Sequence, residues 1–316
     1  MWFIGSEATS IDLIADQYQS VMKTIAHICL SIGLLMAWGC TEESLDYRKQ
    51  EGYVQIALSW DEGFSPAGSR FYFYPENGGE MFSFDCPSEG FGGVLPVGRY
   101  RVIVVNSDCV NVAVRNERSY DTAEIYVLPD EDGEHVCQPE RLAYATRLVE
   151  SEILEVPYRD TVRVAAAPCS CIKHVRFMLE IGDFVPLSSC RGSFSGVSLS
   201  RHCLSGLCSS AAASVRFTAD PVAGSSSFIA DIYVLDLVPP RTDAPSHLLS
   251  LELVGEDESS TVYPVTADLT DAVRSIASEG GVFPNEISLR VVLSLIDGQL
   301  RASVLPWDEG SGGGVI

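Results

Sequence analysis

The chain has 316 residues, 46% of them hydrophobic, which is enough apolar side chain for packed cores and too much for a disordered polypeptide. Its 21 basic residues face 43 acidic ones, a formal net charge of −22. That balance excludes a nucleic-acid-binding role, because phosphates are held by concentrated Lys and Arg; an acidic surface instead favours solubility.

Taken in chain order, the first recognisable unit is an export signal. Met22-Lys23-Thr24 supplies a basic start, Ile25 to Trp38 an apolar core, and Gly39 a small residue before Cys40. This is the order of a secretory signal, and the apolar run falls short of the roughly 20 residues of a spanning helix. Met36-Ala37-Trp38-Gly39-Cys40 resembles a lipobox. That resemblance implies removal of residues 1–39, an over-extended start followed by the signal peptide from Met22, and acylation of Cys40 as the mature N-terminus. Residues 40–50 then read as an acidic linker. Its Thr41-Glu42-Glu43-Ser44-Leu45-Asp46 segment resembles the surface-export signal of Bacteroidetes lipoproteins, with a plain solvated linker as the alternative.

From residue 51 onward the pattern is that of strands. In Tyr53 to Trp60, Val54, Ile56, Leu58 and Trp60 alternate onto one face. Arg70 to Tyr74 is an aromatic strand closed by Pro75-Glu76-Asn77-Gly78-Gly79, whose Asn-Gly pair is a hairpin signal. Leu95-Pro96-Val97-Gly98 turns into Arg99 to Val105, and Val110 to Val114 and Ala123 to Leu128 follow. Pro129 to Glu134 breaks the series, so 51–147 is read as an N-terminal β-sandwich domain. A C-terminal one spans 148–308, with strands expected around Glu152–Val156, 161–165, 174–181, 194–199, 213–218, 228–237, 247–254, 287–296 and 300–307. Thr266 to Val273 reads as a short helix that Asp268 or Thr270 could cap. Residues 309–316 are a glycine-rich, flexible tail.

The order of these motifs resembles a family. The lipobox, the acidic spacer, Arg70-Phe71-Tyr72-Phe73-Tyr74-Pro75 with Asn77-Gly78-Gly79, Leu95 to Tyr100, Gly192 to Leu199 and the late Thr266 to Val273 segment are similar to the fimbrillin-like surface lipoproteins of Bacteroidales. The resemblance implies an all-β fold of two tandem transthyretin-like (Greek-key) β-sandwich domains, with one short helix in the second. It implies a non-enzymatic fimbrial subunit, tip or anchor at the outer membrane, lipid-anchored at the cell surface. Its partners would be the bilayer, through acylated Cys40, and other fimbrial subunits or a donor strand. Assembly would proceed by adding a strand to an open sheet edge, in some members after cleavage behind a basic residue; Arg48 and Lys49 precede the first strand here. The alternative reading is a surface glycan-binding lipoprotein beside an outer-membrane importer. It would stack sugars on exposed aromatics, for which Tyr72 and Tyr74 are candidates if Phe71 and Phe73 face the core.

Other chemistry is weaker. Eight cysteines follow Cys40: Cys86, Cys109, Cys137, Cys169, Cys171, Cys190, Cys203 and Cys208. They suit disulfides in an oxidising compartment or buried free thiols. Cys169 and Cys171, expected on one strand face, could join His174, His202, Cys203 and Cys208 around a metal, but the spacings are not those of zinc knuckles. Asp130-Glu131-Asp132-Gly133-Glu134 lacks the full calcium-loop pattern. Ser195 misses the centre of a G-x-S-x-G motif, and His135, His174, His202 and His247 show no triad context. No catalytic, cofactor or metal site is expected.

Overall fold

The structure, a computed structural model, describes residues 50–182, 186–240, 246–256, 260–278, 282–296 and 299–306. The first strands are β1 (Glu51–Leu58), β2 (Ser69–Pro75), β3 (Phe82–Cys86), β4 (Gly90–Pro96), β5 (Gly98–Asn106), β6 (Val112–Arg115) and β7 (Glu124–Val127). They continue with β8 (Ala143–Ala145), β9 (Leu154–Val156), β10 (Thr161–Ala166), β11 (Cys169–Ser170), β12 (Lys173–Ile181), β13 (Leu187–Ser198) and β14 (Ser200–His202). Then come β15 (Ala212–Pro221), β16 (Ser227–Val234), β17 (Leu248–Gly255), β18 (Val262–Asp268), the helix α1 (Thr270–Ile276), β19 (Glu286–Ile296) and β20 (Gln299–Pro306). The all-β expectation, with one short helix late in the chain, matches this order.

Four sheets result. The first has the order β10-β1-β4, and the second β11-β8-β5-β2-β3 with β9 also on β5. A small sheet orders β14-β7-β6, and the largest β18-β17-β13-β15-β16-β12-β19-β20. β1 is central in its sheet, parallel to β10 and antiparallel to β4. β9 and β10, read from sequence as the start of the second block, therefore hydrogen-bond into the first.

The alternation in β1 arises as the pattern demands: Val54 and Ile56 are buried, Leu58 is half-buried, and Tyr53 and Gln55 point to solvent. β2 departs from that rule. Phe71 and Phe73 enter a core with Val54, Ile56, Phe91 and Leu95. Tyr72 and Tyr74 enter a second core that runs on through Ile125 and Leu142 to Phe177, Phe194 and Leu251. Both faces of β2 are covered, as in a strand inside a layered structure. The tyrosines are thus not the exposed sugar-stacking surface that simple alternation allowed.

The helix begins later than its sequence pattern suggested. Thr266 to Asp268 belong to β18, where Thr266 pairs with Ser250 of β17. The Asp268 carboxylate accepts the Thr270 backbone N–H at 2.9 Å, but neither residue caps the helix as expected: the N-cap position is Leu269, without a side-chain cap hydrogen bond. Ladder pairing outweighs the intrinsic preference of so short a segment.

Candidate functional site

The candidate feature for assembly among the described residues is the side of the first two sheets where β3 and β4 end them. β3 and β4 are the outermost strands of two different sheets, joined by only Pro87, Ser88 and Glu89. They therefore leave that side together, each paired to one neighbour, β3 to β2 and β4 to β1. An edge strand presents unpaired N–H and C=O groups that another strand can satisfy.

The two edges meet through aromatic rings. Phe84 of β3 lies 5.3 Å from Phe91 of β4 between ring centroids, and Phe91 lies 5.0 Å from Phe73 beneath. Phe84 remains 39% exposed and Val94 of β4 53% exposed. The rim is braced from below. The Trp60 indole donates to the Ser88 carbonyl at 2.8 Å, and the Ser69 hydroxyl donates to the Pro87 carbonyl at 2.8 Å.

The edges differ in protection. β3 carries Asp85, held by the Arg70 guanidinium at 2.6 Å and 2.9 Å, which keeps its carboxyl below the usual range. β10, the far edge of the β1 sheet, carries Arg163. β4 has no charge, only Gly90-Phe91-Gly92-Gly93-Val94-Leu95-Pro96. Charges and prolines are the usual guards of a free edge, and β4 has only its terminal proline. Its glycines also let a second backbone come close. Gly90 is required for another reason: its φ is +134°, and a Cβ there would lie 1.9 Å from the Ile56 carbonyl oxygen.

Cys40, the acidic Thr41 to Asp46 segment, Arg48 and Lys49 lie outside the described residues, as do Trp307 and the 309–316 tail. The other sequence candidates are dispersed. Cys169 is exposed and Cys171 buried; β11 ends at Ser170, and the Cys171 N–H turns to the Leu142 carbonyl. His174, near them in sequence, has both ring nitrogens against carboxylates, Glu286 at 2.6 Å and Asp231 at 2.7 Å. Lys173 is buried and donates to the Phe283 carbonyl at 2.6 Å. His202 Nε2 contacts the Asp121 carbonyl at 2.7 Å. All eight cysteines after Cys40 are free thiols.

Asp132, Glu134 and His135 are the group of potential ligands that comes within reach of one ion among the described residues. Asp132 is already committed. It accepts the backbone N–H groups of Glu134 at 2.9 Å and His135 at 3.1 Å, faces the His135 ring at 2.8 Å, and pairs with Arg216. Against desolvation, these contacts hold its carboxyl at about 2. The loop is a self-satisfied turn.

Sequence reading missed the β3–β4 edge. A glycine-rich strand has too few side chains to show alternation, and the only signal was Phe82, Phe84 and Phe91 spaced around a Pro-Ser-Glu turn.

Comparison with known proteins gives relatives and solved structures of similar fold. A Bacteroides ovatus protein described as a fimbrium anchoring subunit, Fim4B, is 25% identical over 274 residues, 80% of this chain and 81% of that protein. A crystal structure described as that of an adhesin from Bacteroides ovatus has a TM-score of 0.57 at 23% identity, over 79% of this chain and 96% of that one. The fimbrial anchor protein Mfa2 of Porphyromonas gingivalis has a TM-score of 0.52 at 14% identity, over 81% and 97%. Residues 39–218, more than half of the chain, match the model of a domain of unknown function, DUF5119. The chain belongs to the DUF5119 family, and its fold is fimbrillin-like.

Proposed function

We propose that this protein is a non-enzymatic fimbrial subunit of the anchor type, tied to the outer membrane through acylated Cys40 and joined to the next subunit by strand addition. The observation that carries the reading is the 25% identity, across four-fifths of both chains, to a protein described as a fimbrium anchoring subunit. The β4 edge, uncharged and bordered by Phe84 and Val94, supplies a place for the added strand.

The position of β1 suits an anchor. Cys40 precedes Glu51 by eleven residues, a tether of at most roughly 40 Å when fully extended. Force applied through that tether arrives at a strand hydrogen-bonded on both sides and pinned by buried Val54 and Ile56. A strand held in this way resists extraction better than an edge strand. Retention of β1 keeps the sandwich near the bilayer. Cleavage behind Arg48 or Lys49 would cut the tether and leave the sheets intact.

The test is Cys40→Ala in the full-length protein. The expected result is loss of fatty-acid labelling, with the protein and its fimbriae moving from the membrane fraction to the medium. Continued acylation, or an unchanged membrane fraction, would overturn the lipid anchor. Failure of the wild-type protein to co-purify with any fimbrial subunit would overturn the fimbrial role.

A further inference from the structure

Arg201 is a partly buried cation, hydrogen-bonded to Tyr144 but without an ion pair among the described residues. It sits on β14 opposite Ile125 of β7. Its Nε is shut off from solvent and has no hydrogen-bond partner among the described residues. Arginine cannot relieve this by losing its proton, and a donor left unpaired away from water is costly.

The ionisable groups facing it do not provide the missing charge. They are Tyr144, Cys171 and Cys208, with Cys203 close by. Burial pushes the Cys171 thiol and the Tyr144 phenol well above their ordinary values. The same cause takes Cys203 and Cys208 to about 12. All four are neutral at physiological pH.

The guanidinium borders a solvent-open cavity of about 680 Å³, whose walls also include Arg101, Arg147, Leu204, Cys169 and Glu152. Arg101 is engaged by Glu76 and Asp121. Arg147 is exposed and makes no ion pair among the described residues. In a chain with twice as many acids as bases, a cavity wall with two arginines outside any ion pair, Arg147 and Arg201, against one glutamate is locally positive.

We propose that this cavity is a binding site for a small carboxylate ligand, with the terminal N–H groups of the Arg201 guanidinium as the fork and Arg147 as a second cation at the mouth. The planar fork matches a carboxylate in two-point contact. A phosphate would match the fork too, but its second charge would meet Glu152 and the field of a strongly acidic chain. The volume admits a sugar acid or an acidic amino acid with room to spare. Both sources share the carboxylate, and the experiment separates them.

The full-length protein in detergent is titrated calorimetrically with glucuronate, N-acetylglutamate, inorganic phosphate and glucose. The alkylation rate of Cys169, exposed on the cavity wall, is followed by peptide mapping. At least one of the two carboxylates binds and slows alkylation of Cys169, while glucose and phosphate do neither. Arg201→Lys, which keeps the charge but loses the fork, weakens binding about tenfold or more. Arg201→Met abolishes binding. Absence of both binding and Cys169 protection with either carboxylate overturns the proposal, as does binding that survives Arg201→Met. Phosphate binding tighter than both carboxylates also overturns it. Cys169 protection in the unsubstituted protein keeps the test decisive if a variant does not fold.

Discussion

Gly90 and His247 show how single residues are constrained by what lies across from them. At Gly90 the positive φ and the Ile56 carbonyl together leave no room for a Cβ. Gly90→Val is expected to destabilise the protein by at least about 2 kcal/mol, measured by denaturant unfolding, and to loosen the β1–β4 ladder in hydrogen exchange. His247 is fully buried, with Nδ1 3.0 Å from the Ser246 hydroxyl. Its ring tilts over Phe194, and Gly196 lies so close that a Cβ there would be 2.4 Å from the imidazole. Burial holds its pKa below the ordinary 6.5. As pH falls through that ordinary value, the unfolded chain takes up a proton that the folded chain refuses, so acid destabilises the fold. The melting temperature should fall between about pH 7 and pH 5 more steeply in the parent than in His247→Gln. Equal slopes would remove His247 from the account. Neither constraint is visible in the linear chain, since Gly90 and Ile56 are brought together only by the sheet.

Strands whose side chains alternate, or run continuously apolar, were legible before any coordinates. β1, β5, β12, β16, β17 and β19 fall where periodicity places them, because each has buried neighbours on a defined face. β4 was not legible, because glycine carries no hydropathy signal. α1 was legible only in part, since Thr266 to Asp268 satisfy the β17 ladder before the helix can use them. The β4 edge leads to a prediction at this scale. Val94→Lys places a charge on an exposed edge position and should change stability by no more than about 0.5 kcal/mol. It should abolish addition of a partner strand, read as loss of subunit co-purification with an unchanged melting curve. Wild-type levels of partner capture would move the contact to another edge, with β10 and its Arg163 the next to test.

For the whole molecule, charge sets the conditions of assembly. Subunits as acidic as this one, at −22, repel one another at long range, and salt shortens that range to about 10 Å at 0.1 M. Association with a similarly acidic partner subunit should therefore strengthen as ionic strength rises from about 0.01 M to 0.1 M, followed by light scattering; weakening over that range would point to attraction between opposite charges at the interface. The sequence by itself determined the acidic balance, the all-β class and the positions of the alternating strands, and it sets the expectation of an export signal before Cys40. All of these depend on residue order and period alone. Only the tertiary structure decided that both faces of β2 are buried, that β10 returns to lie parallel to β1, that β3 and β4 share an open side, and that Arg201 lines a cavity. Each of these depends on residues distant in sequence being brought together, and side-chain period along one strand carries no record of what packs on it from elsewhere in the chain.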